Sequence, residues 1–409
     1  MGRRPGEGDL RLRKEATFEN ALAFARELIR IPGLPGQEGD VARRVREELE
    51  ALGLADVRVD EAGNVVGVAP GTGAAPPALL NCHLDVVAEG DHAEWEVPPF
   101  SGEVRDGFLH GRGAMDIKGP LALQTYAAAA LIGRAPGDVI VAHTVLEERG
   151  GLGMKHLLQS GSVEPGVVII GESTHGDVCI GHRGRAELEV VVTGMAGHAS
   201  APDRARNALD LVGDVLAAVR ALGARQPSDP YLGAASVAAT MIDVLPESRN
   251  VIPDKVVVTL DWRILPGADD ETLLAAVREV LAEALPTVPE GFTVTARMAT
   301  ELQRTWTGLE EDKNLLTPGF LMAPDHPVVT AAATAAGRRD RPGEPATVRP
   351  WTFATDGGWS SGVFGIPTVG FAPGEERYAH TNRERLDVEE ARWAFARYPG
   401  LITAAQSAL

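Results

Sequence analysis

The sequence predicts an α/β protein, a mostly parallel sheet flanked by helices and interrupted by a small inserted α+β unit. Two observations carry that expectation. Apolar runs of strand length alternate with helical segments over residues 65–171 and return after residue 327, which is how a parallel sheet covered on both faces reads. Between them the texture changes near Gly181, and residues 186–298 follow a β-α-β-β-α-β order, that of a ferredoxin-like sandwich.

The elements follow in order. Thr17 is placed to cap a helix whose apolar positions Leu22, Ala25, Leu28 and Ile29 share one face, and Ile31-Pro32-Gly33 ends it. Val41, Val45, Leu49 and Leu52 mark a second amphipathic helix, with Gly53 as its stop. The period then drops to two at Val57 and Val59, turns at Gly63-Asn64 and returns over residues 65–68, an antiparallel hairpin. Beyond the loop 71–77 the spacing predicts strand 78–87, helix 119–132, strand 139–146, helix 152–159 and strand 167–171. In the inserted unit it predicts strand 186–193, helix 205–222, strands 234–244 and 255–264, helix 270–284 and strand 292–298. Helix 327–337 and strand 368–371 then complete the sheet. The expected division is 1–181, 182–298 and 299–409, with the first and last parts forming one domain.

Bulk properties narrow the function. With 409 residues and 44% hydrophobic composition the chain can bury a large core. The 57 acidic against 39 basic residues give a net charge of -18, which opposes attraction to nucleic acid or an anionic membrane, so neither partner is expected. Two cysteines, Cys82 and Cys179, imply no disulfide framework and fit a reducing compartment. The polar, charged residues 1–15 lack the apolar stretch of a secretory signal, and no apolar run approaches the ~20 residues of a membrane span. A cytoplasmic enzyme is the expectation.

Chemistry-bearing residues recur where the predicted strands end. In Asn81-Cys82-His83-Leu84-Asp85, an extended backbone puts His83 and Asp85 on one face and Cys82 and Leu84 on the other. A carboxylate accepting the imidazole N–H fixes the tautomer, so His83 reads as a metal ligand and Asp85 as its orienter. Asp116 lies in a Gly-rich turn before a helix, where a carboxylate is either a cap or a bridge between cations. Glu147-Glu148 follows an apolar strand directly. Adjacent carboxylates repel unless a cation or proton intervenes, and because their side chains diverge one can bind metal while the other holds water. Glu172 and His380 follow further strands. Two histidines and three carboxylates make a mixed N/O set suited to two zinc ions, or cobalt or manganese, bridged by one carboxylate and one water. A free glutamate is left to take the water's proton in amide or ester hydrolysis.

These residues, with Gly111-Arg112-Gly113, Asp116-Ile117-Lys118-Gly119, Gly171-Glu172 and Gly197-His198-Ala199-Ser200, resemble a family of di-zinc hydrolases. It includes acetylornithine deacetylase, succinyl-diaminopimelate desuccinylase, aminoacylase and the glutamate carboxypeptidases, and the resemblance covers nearly the whole chain. It implies that His83, Asp116 and Glu172 hold one zinc while Asp116, Glu148 and His380 hold the other. It implies that Asp85 supports His83, and that Glu147 is the general base and then the acid toward the leaving amine. The inserted sandwich would serve as lid and dimerisation domain, carrying His198 to the partner subunit's site to stabilise the oxyanion. Asn250 and Arg263 match lid positions that contact substrate, Arg263 as a fork for a carboxylate.

The expected activity is therefore hydrolysis of an amide in an N-acyl amino acid by a homodimer with two zinc ions per chain. A dipeptidase or carboxypeptidase of the same family is the alternative, and Gly370-Phe371-Ala372-Pro373-Gly374 leans toward the deacetylase and desuccinylase branch. A non-catalytic dimeric metal-binding scaffold has no need of Glu147. A phosphoesterase is disfavoured by the lack of a further phosphate-cradling loop. Cys82 reads as a core thiol, and His182 and Arg183 as hinge-region structure. Thr355-Asp356-Gly357 is either an Asp-Gly turn or a pocket-lining loop, and Trp95 and Phe100 either shape the pocket mouth or pack their own loop.

Overall fold

The computed structural model describes residues 13–409; most of the charged N-terminal stretch, residues 1–12, lies outside the described residues. In chain order the main elements are α1 (Phe18–Ile29), α2 (Gly39–Leu52), β1 (Ala55–Val59), β2 (Val65–Ala69), β3 (Ala78–His83), α3 (Lys118–Ala130), β4 (Val139–Thr144), α4 (Leu152–Gln159), β5 (Val167–Ile170) and β6 (Val178–Cys179). The inserted unit holds β7 (Gly184–Thr193), α5 (Val212–Ala224), β8 (Ser236–Leu245), β9 (Lys255–Ile264), α6 (Asp270–Ala284) and β10 (Thr293–Met298). A hairpin, β11 (Thr300–Arg304) and β12 (Glu310–Asn314), leads to α7 (Pro327–Ala336), β13 (Val348–Arg349), β14 (Thr368–Gly370) and α8 (Val388–Ser407).

Eight strands form the large sheet in the order β1-β2-β4-β3-β5-β14-β6-β13. Its centre is parallel, β4 with β3, β3 with β5 and β5 with β14, while the β1–β2 hairpin adds antiparallel strands at one edge. Every residue of β3, β4 and β5 is buried. Since alternate side chains point to opposite faces, both faces of the sheet are covered. From β3 the chain passes through α3 to β4 on one side, then through α4 to β5 on the other. Strand order therefore reverses at β3, and a crevice opens beyond its C-terminal end, which is where His83 sits.

The inserted unit has its own core. Val190, Val258, Leu260, Leu273 and Val277 belong to a cluster separate from the one around the large sheet. Its sheet runs β8-β9-β7-β10, all antiparallel, with Leu316–Thr317 also pairing β7. This is the ferredoxin-like strand order. The chain enters and leaves side by side, Gly181–His182 pairing with Phe320–Leu321.

Some expectations need correction. The helix expected over 205–222 begins only at Val212. Asn207 accepts the Leu209 N–H and caps a 3-10 turn, Ala208–Leu211, that takes up the first residues. Strand β3 stops at His83, short of the expected residue 87, so Asp85 lies in the following loop. A long helix and a hairpin escaped the periodicity altogether, as did the two-residue strands β6 and β13. In α8, Pro399 sits inside the helix and weakens the signal, although Asp387 caps it by accepting the Glu389 and Glu390 N–H groups at 2.8 and 3.1 Å. The β11–β12 hairpin is too charged to read as half-buried strand. No helix among the described residues is long and apolar enough to cross a membrane.

Candidate active site

The five predicted ligands converge. His83 ends β3, Glu148 follows β4, Glu172 follows β5, Asp116 precedes α3 and His380 follows β14, so the sheet's parallel centre aims four of its strand ends at one place. His83, Asp116 and Glu172 form one group of donors and Asp116, Glu148 and His380 a second, with the donor atoms of each group within 4.8 Å of one another. Asp116 belongs to both. Its Oδ1 is 3.2 Å from His83 Nε2 and its Oδ2 is 3.2 Å from His380 Nε2. Glu172 Oε1 lies 3.3 Å from His83 Nε2, and Glu148 Oε1 lies 3.1 Å from His380 Nε2.

The tautomer of His83 tests whether this set suits a metal. Its Nδ1 lies 2.8 Å from the Asp85 carbonyl, which can only accept, so Nδ1 carries the proton. The lone pair of a neutral ring then points from Nε2 at two carboxylates, which is repulsive unless a proton or a cation stands between them. Burial opposes protonation, but Asp116 and Glu172 outweigh it and raise the His83 pKa well above its ordinary value. Asp116 and Glu148 raise that of the half-exposed His380 to about 10. Glu172, pushed up mainly by burial, reaches about 7, and burial with nearby Glu172, Asp356 and Glu148 raises Glu147 well above the carboxylate range. A cluster this acidic lacks positive charge, and divalent cations bound by these N and O donors would supply it. The residues fit two such ions sharing Asp116.

Asp85 acts differently from the expectation. Its main-chain carbonyl, not its carboxylate, takes the His83 proton; the carboxylate stands 3.6 Å away. Because Asp85 lies past the strand end, its side chain is free to reach the next loop, where it accepts the N–H groups of Glu147 and Glu148 at 3.2 and 3.1 Å. That loop begins at Leu146, which takes φ 55, a left-handed conformation unusual for a branched side chain. Its N–H is tied to Glu38 Oε1 at 3.2 Å. Glu147 and Glu148 thus hang on buried carboxylates.

Glu384 went unnoticed in the sequence. Fully buried, it accepts from Arg112 Nη1 at 2.6 Å and from the Met115 and Asp116 N–H groups at 3.2 Å each, while Arg112 Nη1 also reaches the Thr381 carbonyl at 3.3 Å. The loops bearing Asp116 and His380 are therefore pinned together by an ion pair between distant segments. An Arg in Gly111-Arg112-Gly113 was the only available signal. At Gly171 a Cβ would lie 2.3 Å from Cys82 Sγ, so glycine alone lets Glu172 follow β5 at this spacing.

Other predicted residues fall elsewhere. Glu147 lines a cavity of about 180 Å³ with Asp116, Glu148, Glu172, Phe353 and Ala354. Arg263 lines the adjoining cavity of about 440 Å³ and is bound to Asp261 at 2.9 Å. His198 and Asn250 line neither; they lie together where Gly197–His198 pairs with Val251–Ile252, and His198 is exposed. The Ser200 N–H donates to His198 Nδ1 at 3.1 Å, which leaves the proton of a neutral ring on Nε2. Cys82 is a buried thiol, and both cysteines are free. His182, buried at the crossing between the two units, donates from Nδ1 to the Arg183 carbonyl and accepts the Thr355 N–H. Asp356 is buried and accepts from Thr144 Oγ1 at 2.7 Å. Trp95 packs its own loop beneath Arg112.

Comparison with known proteins gives concordant findings. The model of the family described as Peptidase family M20/M25/M40 matches residues 79–403. The chain is similar to the uncharacterized protein YgeY of Escherichia coli strain K12, 32% identical over 367 residues and 88% of each chain. It is also similar to a succinyl-diaminopimelate desuccinylase of Caulobacter vibrioides, 30% identical over 396 residues, 93% of this chain and 95% of that one. Among solved structures, the Bacillus subtilis YXEP protein, described as a dinuclear metal binding peptidase from the M20 family, superposes with a TM-score of 0.69 at 16% identity, covering 96% of this chain and 99% of that one.

Proposed function

The chain belongs to the peptidase family M20/M25/M40, and from that premise we propose that it uses two metal ions to hydrolyse the amide bond of a small N-acyl amino acid, as a deacylase, deacetylase or desuccinylase does. The observation that carries this reading is Asp116, whose two oxygens face separate groups of donors while Glu147 stands beside both and belongs to neither. His83, Asp116 and Glu172 hold one ion and Asp116, Glu148 and His380 the other, zinc in the first instance, with cobalt or manganese as substitutes. When bound, the ions supply Lewis acidity toward the scissile carbonyl and acidify water. Glu147 takes the proton of the attacking water on its carboxylate and returns it to the leaving nitrogen. Asp85 holds the Glu147 and Glu148 amides in place and keeps the His83 ring turned.

The inserted unit, residues 182–298, acts in this reading as lid and dimerisation domain over a catalytic domain built from 1–181 and 299–409. Its separate core supports that division. Strand β8, at the sheet edge, exposes Met241 and Ile242 and an unpaired row of backbone groups, which supports pairing with a second copy. His198, carrying its proton on Nε2, then serves the partner's site as an oxyanion donor, with Asn250 beside it, and Arg263 contacts the substrate from the wall of the adjoining cavity. Two free, buried cysteines support a reducing, cytoplasmic setting. The test is a screen of N-acetyl, N-succinyl and N-formyl amino acids against dipeptides with zinc- and cobalt-loaded protein. Hydrolysis of the acyl amino acids is expected. Turnover of dipeptides alone would move the protein to the peptidase branch, and turnover of neither would overturn the assignment.

A further inference from the structure

The cavity of about 440 Å³ beside the carboxylates is lined by Glu147, Glu148 and His380 and by four basic residues, Arg149, Arg185, Arg263 and Lys313. The basic four are not equivalent. Arg149 is paired with Glu301, Arg185 with Glu187 and Asp261, and Arg263 with Asp261. All three arginine side chains are also 45% exposed, so solvent screens what charge remains. Lys313 is 4% exposed, and no carboxylate among the described residues lies within ion-pair distance of it. An ammonium has three donors; here the Gly150 carbonyl takes one, and the Trp359 ring lies 5.4 Å from the nitrogen. A buried cation without a counter-ion is costly and persists where something supplies the charge. Holding the Gly150 turn does not explain it, because Trp359 Nε1 already donates to the same carbonyl at 2.9 Å, a service that needs no charge.

We propose that Lys313 is the receptor for a substrate carboxylate, so that the enzyme's preferred amides carry an anionic group reaching from the scissile bond into this cavity. The inference rests on reading the site as an amide hydrolase and moves the recognition of charge from Arg263, already committed to Asp261, to a residue whose sequence context gives no hint of it. A lysine suits the task as a compact point charge that a glycine turn and a tryptophan face can enclose. Burial, with nearby Lys155, draws its pKa down to about 8 against the pull of the more distant Glu311, Asp356 and Glu147, and an incoming carboxylate would oppose that fall further.

The test uses Lys313→Met and Lys313→Gln, the second keeping a donor for Gly150, in the zinc-loaded full chain. For the best substrate of the acyl amino acid screen, each carboxylate is compared with its carboxamide. At one position the wild-type preference for the acid should fall about 10- to 100-fold in both variants, carried by KM rather than kcat, the usual loss for a charged hydrogen bond. Succinate binding, followed by calorimetry, should weaken by a similar factor while bound zinc and the thermal transition stay put. Equal losses on acids and carboxamides would make Lys313 a structural residue, and an unchanged preference would remove it from recognition; either overturns the proposal. The two readings fail separately. If no amide is cleaved yet succinate binding depends on Lys313, the anion site stands and the hydrolase falls. If amides are cleaved while neither preference nor succinate affinity moves, the hydrolase stands without it.

Discussion

Along β3, β4 and β5 every residue is buried, whereas β8 of the inserted unit has no fully buried residue and leaves Met241 54% and Ile242 43% exposed on the edge of its sheet. The proposed site residues follow the same divide. Four of the five ligands at the large sheet's strand ends have side chains no more than 10% exposed, while His198 on the inserted unit is open to solvent. A parallel sheet can fix reacting groups because its strand ends are held from both faces and its loops are tied by buried carboxylates such as Asp85 and Glu384. A one-sided antiparallel sandwich offers edges and tips instead, which can serve a partner or a substrate. In the proposed reading the metal ligands and the base come from one region, and the other adds the oxyanion donor His198 and part of the recognition of substrate.

The sharpest break between the regions is removal of the proton carrier. Glu147→Gln should lower kcat by about two to four orders of magnitude, with both metals bound and the unfolding midpoint unmoved. Normal turnover would mean that another group is the base. His198→Ala should cost about 10²- to 10³-fold, as loss of an oxyanion donor does, although the residue lines neither cavity of its own chain. Mixing decides where it acts. Reassembled at equal amounts, the two inactive variants should regain about a quarter of wild-type activity, because each mixed dimer holds one centre with an intact base and an intact visiting histidine. Confirmed heterodimers that stay inactive would place His198 in its own subunit.

Asp85→Ala should weaken metal affinity about 10- to 100-fold. Its hydrogen bonds predict which ion suffers. The carboxylate holds the loop of Glu148, and His83 is turned by a main-chain carbonyl that alanine keeps. Asp85→Ala should therefore be strongly non-additive with Glu148→Ala and nearly additive with Glu172→Ala when zinc binding is measured. The opposite pattern would restore the carboxylate as the support of His83.

The same contrast explains what could be read in advance. His83, Asp116, Glu147, Glu148, Glu172 and His380 were legible because each stands at the end of an apolar strand or in a loop that follows one, and strand periodicity survives in one dimension. Strands β7 to β10 and helix α6 were legible for the same reason. Lys313 was not, since its partner Gly150 is 163 residues away, nor Glu384, which meets Arg112 across 272 residues. The hydrogen bonds of Asp85 escape the sequence because period-two spacing carries the strand to residue 87, four residues past its actual end at His83. Helix α8 was hidden by Pro399.

The hairpin β11–β12 sits on the boundary, and the smallest predicted effect asks which region owns it. It follows directly on the inserted unit, yet Trp306 at its tip packs on the large core and donates from Nε1 to the Gly63 carbonyl at 3.2 Å. Gly63, at φ +100, could not be anything larger, because a Cβ there would lie 2.3 Å from that nitrogen. Gln303 donates to the Arg149 carbonyl at 2.6 Å and Lys313 to that of Gly150, so the hairpin braces the turn just after Glu147 and Glu148. Trp306→Ala should cost about 1–3 kcal/mol, less than a fully buried aromatic because the ring is only half-buried. Native-state hydrogen exchange locates the cost. Amides of residues 146–151 should exchange faster while those of β7 and β9 keep their protection, since those strands rest on the other core. Faster exchange in β7 and β9 with a quiet 146–151 loop would assign the hairpin to the lid, and the bracing of the catalytic turn would then have to come from Asp85 and Glu38 alone.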